Sequence, residues 1–139
     1  MELKLRDVAN SKAAVESLLA LPVAPIAKVA FALARNARHI SAALDDFNKA
    51  QRALVIELGE PVEDDGGGIR VKKENVAQYT AEIDELLDQV IDLDIRAITE
   101  AQLAECEEKR PGFAVPVVAL YGAWFMFEDA QELPAMEGM

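Results

Sequence analysis

The stretch that decides the architecture is "PIAKVAFALARNARHISAALDDFNKAQRALVIELGE", residues 25–60. It holds no glycine between Pro25 and Gly59. Ile26, Leu33, Ile40, Phe47 and Leu54 recur seven apart. Ala30, Ala37, Leu44, Gln51 and Leu58 recur seven apart and offset by four. Two interleaved sevens make an apolar seam along one helix, interrupted only by Gln51. Pro25 suits the first turn, where its missing N–H costs nothing. Gly59 is the expected C-cap. At 1.5 Å per residue such a helix runs roughly 50 Å, longer than a compact domain of this size is wide. Either it kinks, with Asn36 the expected place, or another chain covers part of the seam. The alanines favour close approach of a neighbouring helix.

The rest of the chain has to supply that neighbour. With 139 residues, 52% of them apolar, one domain over residues 1–130 is expected, able to bury a core without staples. Residues 131–139 read as a frayed tail. Cys106 is the one cysteine, so no intramolecular disulfide and no Cys-rich zinc site is available. The start, MELKLRDVAN, is polar and charged, unlike a secretion signal, so a cytosolic protein is expected.

Around the long helix the periodicity alternates between strand and helix. Residues 2–6, 69–71 and 90–96 alternate apolar and charged, as half-buried strands do. Their apolar sides are Leu3 and Leu5, Ile69 and Val71, and Ile91, Leu93 and Ile95. The first two strands carry basic outer faces (Lys4, Arg6; Arg70, Lys72), and the third carries Asp92 and Asp94. Opposite charges across neighbouring strands favour pairing. The economical arrangement is therefore one three-stranded sheet with the acidic strand in the middle. Asn10 or Ser11 is the expected cap of a short helix facing inward through Val15, Leu18 and Leu19. Asn75 with Gln78, and Thr99 with Gln102, have capping-box spacing. The first pair would open a helix with Val76, Tyr79, Ile83, Leu86 and Leu87 on one face. Residues 60–68, "EPVEDDGGG", read as an acidic loop. The fold class expected is α+β and helix-dominated: one long helix and shorter ones packed on a small three-stranded sheet.

"PGFAVPVVALYGAWFMFED" carries no charge from residue 113 to 127. That is too short to span a bilayer as a helix, which takes about 20 residues. From Pro116 it reads as a helix apolar almost all round. Three accounts fit: core, a self-association or partner surface, and membrane contact. If it is a partner surface, its anchors are Trp124, Phe125 and Phe127 with Tyr121 beside them, since Trp and Tyr are enriched in interface hot spots.

Reactive groups do not assemble along the sequence. His39 is the one histidine, and Ser41, two residues on, points elsewhere on a helix. Cys106 sits in "AECEEK", where acidic neighbours disfavour a thiolate. Asp84 and Asp88 lie one helical turn apart and have the spacing to share a hard cation, but no loop has the EF-hand pattern. The triple glycine at 66–68 lacks the Lys-Ser/Thr of a phosphate loop. No catalytic residue, cofactor site or metal site is expected, and the protein reads as a non-enzyme.

Charge is uneven. Residues 1–58 carry 8 Lys/Arg against 6 Asp/Glu, and residues 59–139 carry 6 against 19, for a net charge of −11. An acidic chain repels nucleic acid at long range, so direct nucleic-acid binding is not expected. Lys28, Arg35, Arg38 and His39 line the basic part of the long helix. They read as an intramolecular dock for the acidic second half or a solvated face, with a phosphate strip the rival. Asp45 has i,i+4 spacing to Lys49.

Three blocks, "LP…AKVAFALARNARHI…L..F..A…L….GE", "IRVKKENVAQYTAEIDELLD" and "VIDLDIRAIT", occur in this order over roughly residues 15–103. In this the chain resembles a family of small proteins of unknown function encoded by tailed bacteriophages and prophages. The resemblance implies a phage context, located in the host bacterial cytoplasm or the virion, and carries no catalytic residue over. The long seam, the uncharged C-terminal segment and the absence of a catalytic set point to a protein partner, such as other phage structural proteins or a further copy of the chain. The role would be a head, tail or connector component or its chaperone. The alternative is an acidic phage inhibitor that binds a host nucleic-acid-handling protein.

Overall fold

The structure is a computed structural model, and it describes residues 1–62 and 67–128. Most of the acidic loop's carboxylates and the expected tail lie outside the described residues. The chain forms β1 (Glu2–Lys4), α1 (Leu5–Asn10), α2 (Lys12–Leu19) and the long α3 (Ala27–Leu58). It continues through β2 (Gly59–Pro61), β3 (Ile69–Val71), α4 (Val76–Leu87), β4 (Val90–Asp92), α5 (Glu100–Lys109) and α6 (Val117–Gly122). Single 3₁₀ turns occupy Lys73–Asn75 and Trp124–Met126. The fold is α+β and dominated by helix.

α3 runs unbroken for 32 residues, about 48 Å at 1.5 Å per residue. Ile26 is its N-cap and Pro25 lies just outside it. Asn36 does not kink it. The side chain is fully buried and reads the backbone of Arg96 from both sides. Its Nδ2 donates to the Arg96 carbonyl at 2.9 Å and its Oδ1 accepts the Arg96 N–H at 2.8 Å. A buried amide so satisfied is an anchor, because each bond replaces one that water would otherwise have made.

The seam is covered unevenly. Ile26, Val29, Leu33 and Ile40 are buried, whereas Phe47 and Leu54 are half-buried and Ala30 is exposed. The core gathers around the first half of α3 with Val8, Val15, Leu18, Ile98, Cys106, Phe113, Phe125, Met126 and Phe127. Leu19, expected on the inner face of α2, is 56% exposed. Ser11 precedes α2 but does not cap it through its side chain, because its Oγ donates to the Val8 carbonyl at 2.6 Å.

The single three-stranded sheet is replaced by two two-stranded ones. β1 pairs antiparallel with β4, and β2 pairs antiparallel with β3. The β1–β4 register sets Glu2 opposite Asp92 and Lys4 opposite Val90, so the charges do not alternate as expected. The Met1 ammonium meets the Asp92 carboxylate at 2.8 Å instead. β3 joins β2, the segment next to it across the loop, because closing a short hairpin orders less chain than reaching β4. Leu5 belongs to α1, and Ile69 is 46% exposed.

Gly59 is not a left-handed cap, since its φ is −102°. Glycine is required there by space. A Cβ would overlap the Val55 carbonyl and lie 2.8 Å from the Arg70 carbonyl, where the hairpin folds back on α3. Asn75 does not cap α4 either. Its Nδ2 donates to the Leu58 carbonyl at 3.1 Å, and Gln78 reaches forward to Glu82. Thr99 and Gln102 do form the reciprocal capping box of α5, each bond 3.1 Å.

Candidate functional site

The uncharged C-terminal stretch divides into an inner and an outer part. Phe125 and Phe127 are 2% and 5% exposed, and Met126 is fully buried. The core account thus describes Phe125 and Phe127, which offer no surface to a partner in this fold. Tyr121 and Trp124 are half-buried, and the Trp124 ring stands edge-on to Phe125 with centroids 5.6 Å apart. The ladder that fixes this turn is short: Ile98 N–H donates to the Met126 carbonyl at 2.8 Å, and Glu128 N–H to the Ile98 carbonyl at 3.0 Å.

The exposed part was not singled out by the sequence. Val117 and Val118 are 58% and 74% exposed. Two glycine contacts orient their surroundings. A Cβ on Gly122 would meet the Ala14 Cβ at 2.7 Å, and one on Gly112 would sit 3.6 Å from Val23. Residues 112–122 therefore run antiparallel along residues 14–23, while Leu19 turns to the α3 side of α2. Residues 17–27 and 111–127 both lack charge. The result is an exposed apolar pair on α6, Val117 and Val118, inside a run that carries no charge. Clustered exposure of this kind marks contact surfaces on soluble proteins more often than scattered single residues do.

Two grooves flank α3 in its middle. One, about 420 Å³, lies between α2 and α3 and includes Val15, Leu19, Ile40, Ser41 and Leu44. The other, about 430 Å³, lies on the α4–β4 side and includes His39, Asp46, Phe47, Gln89 and Ile91. His39 and Ser41 thus face different grooves, as their spacing on a helix requires, and cannot form a base–nucleophile pair. The His39 Nε2 is shielded from solvent and has no hydrogen-bond partner among the described residues. Cys106 is fully buried in the core.

Six of the nineteen acidic residues among the described ones are paired with cations. Asp84 and Asp88 face the Arg6 guanidinium, at 3.6 and 3.3 Å, so a side chain already occupies the place of the shared cation. The basic part of α3 docks on the acidic second half through Lys28–Glu105 at 2.7 Å and Arg35–Asp94 at 2.9 Å. No ion pair joins Asp45 to Lys49 among the described residues. Hydrogen bonds from Lys109, then Lys28, hold the Glu105 carboxyl down to about 2. The Arg35 hydrogen bond and charge hold Asp94 below the usual carboxylate range. Among the described residues, no three His, Cys, Asp or Glu side chains are grouped to hold a metal ion. No helix among them is long and apolar enough to cross a membrane.

No family model, curated protein or solved structure matches this chain.

Proposed function

We propose that this is a non-enzymatic protein-interaction protein of a tailed phage or prophage, serving virion structure or assembly. The observation that supports it best is the pair Val117 and Val118, exposed on α6 within the charge-free run 111–127 beside a well-filled core. A side chain left in water forgoes about 1.5–3 kcal/mol of burial, which a partner surface can recover. The phage context rests on the three sequence blocks over residues 15–103, and it places the protein in the host cytoplasm or the particle.

The alternative, an acidic inhibitor imitating nucleic-acid charge, asks for carboxylates free on one continuous face. The acids are instead distributed over several elements, and six of the nineteen described ones, Glu60, Asp84, Asp88, Asp92, Asp94 and Glu105, are paired with cations of the same chain. That distribution favours the assembly reading.

The test is genetic. In a lysogen carrying the gene, Val118→Asp should leave the protein folded by circular dichroism yet lower the yield of infectious particles, with unassembled heads or tails accumulating. An unchanged titre together with a folded variant contradicts the assembly reading. Flanking capsid and tail genes would accord with it, and flanking early regulators would favour the inhibitor.

A further inference from the structure

We propose that the depression between the first turns of α3 and α5 docks an acidic peptide segment that carries an apolar side chain. This rests on the protein-interaction reading and names one partner chemistry for it. The depression, about 640 Å³, is lined by Lys28, Phe31, Ala32, Arg96 and Gln102. Phe31 is 63% exposed, a large aromatic surface on the outer side of α3. Arg96 lies across from it. Its backbone is fixed by Asn36 on both sides, but its guanidinium makes no hydrogen bond or close ion pair among the described residues.

The neighbouring charges leave that guanidinium available. Asp94, two residues away, makes its hydrogen-bonded pair with Arg35 at 2.9 Å and feels Arg96 only as a weaker, unbonded charge. Lys28 is already shared with Glu105 at 2.7 Å, so it adds positive potential more than a free donor. Gln102 closes the rim from the first turn of α5. Its Oε1 accepts the Thr99 N–H, which leaves its amide N–H groups for a ligand. The positive end of the α5 dipole lies at the same rim.

An exposed arginine on an anchored backbone, lining one depression with an exposed aromatic ring, recognises a carboxylate attached to an apolar group. The guanidinium takes the carboxylate in a fork, and the ring takes the apolar side chain. Arg96 and Lys28 attract such a segment locally, against the long-range repulsion of a chain whose net charge is −11. An apolar segment without acids would leave Arg96 covered and unpaired, which is costly.

The test uses fluorescence anisotropy with the full chain and a fluorescein-labelled octapeptide, Glu-Asp-Glu-Leu-Phe-Glu-Asp-Glu, in 50 mM NaCl. Saturable binding is expected, weakened at least fivefold by Arg96→Gln and at least threefold by Phe31→Ser. Both side chains are outside the core, so the variants should keep the parent's melting temperature. Replacing Leu-Phe of the probe by Ser-Ser should weaken binding to the same extent as Phe31→Ser. Arg38→Gln, on the same helix but away from the depression, should change binding less than twofold. The proposal is overturned by absence of saturable binding, by Arg96→Gln binding as well as the parent, or by equal loss in Arg38→Gln, which would mean unspecific charge attraction. Concentration-dependent dimerisation abolished by Arg96→Gln would overturn it in favour of a second copy as occupant. These outcomes do not touch the Val118→Asp titre, so the two readings fail separately.

Discussion

The two halves of α3 live in different surroundings. The first half, with α1, α2, α5 and α6, is packed: Val29, Leu33, Asn36 and Ile40 are all buried. The second half, with the β2–β3 hairpin and α4, is the less buried arm, tied back to α1 where Arg6 meets Asp84 and Asp88. There α3 contributes only Leu58 to the buried set, and α4 contributes none. The same heptad runs through both, so the spacing of apolar residues does not by itself decide how well a seam is covered. Partner size decides. α4 offers half-buried Tyr79, Ile83, Leu86 and Leu87, whereas the body offers Phe113, Phe125 and Phe127.

The comparison breaks first if aromatic truncation in the body is cheap. Phe125→Ala should destabilise the protein by about 3–5 kcal/mol, because the cavity sits where the structure cannot collapse. Asn36→Ala should cost about 2–3 kcal/mol by leaving the Arg96 N–H and carbonyl unpaired. Leu87→Ala, in the arm, should cost only about 1 kcal/mol, since its side chain is only partly buried. Chemical denaturation of the three variants ranks them, and a loss for Leu87→Ala equal to that for Phe125→Ala would erase the distinction. Smaller still, Gln51→Ala removes the 2.9 Å bond to the Tyr79 hydroxyl and should cost about 0.5–1.5 kcal/mol. It tests whether the polar break in the seam ties α4 to α3.

The smallest effect concerns pH. Glu105 is held down from an ordinary 4.5 to about 2 by Lys109 and Lys28. A depressed carboxyl binds its proton more weakly in the folded than in the unfolded state. Its contribution is therefore complete above pH 4.5 and lost as pH falls from 4.5 to about 2. Glu105→Gln should flatten that part of the stability profile slightly, as measured by melting temperature against pH, because exposed pairs contribute little.

What the sequence disclosed divides by range. The long helix, the helix-dominated α+β class and the Thr99–Gln102 box were legible because each rests on residues within a few turns of one another. Strand partners were not. The charge argument for one sheet assumed that Lys4 and Arg6 face Asp92 and Asp94, but Arg6 turns to α4 and Asp92 takes the Met1 ammonium. The same limit applies to the candidate site. An uncharged run announces apolar surface without saying which of its residues point in, so Phe125 and Phe127 were favoured over the exposed Val117 and Val118. Nothing near Phe31 in sequence reveals Arg96, because the 60 residues from Asn36 to Arg96 are closed only in the folded chain, by the Asn36 amide and the Arg35–Asp94 pair.

The central claim is that stability resides in the body, leaving the arm and the exposed α6 pair available for contact. Native-state hydrogen exchange followed by mass spectrometry tests it most directly. Amides of α3 between Val29 and Ile40 should exchange only through global unfolding, and those of α4 at least tenfold faster through local opening. Equal protection in the two segments would contradict the account.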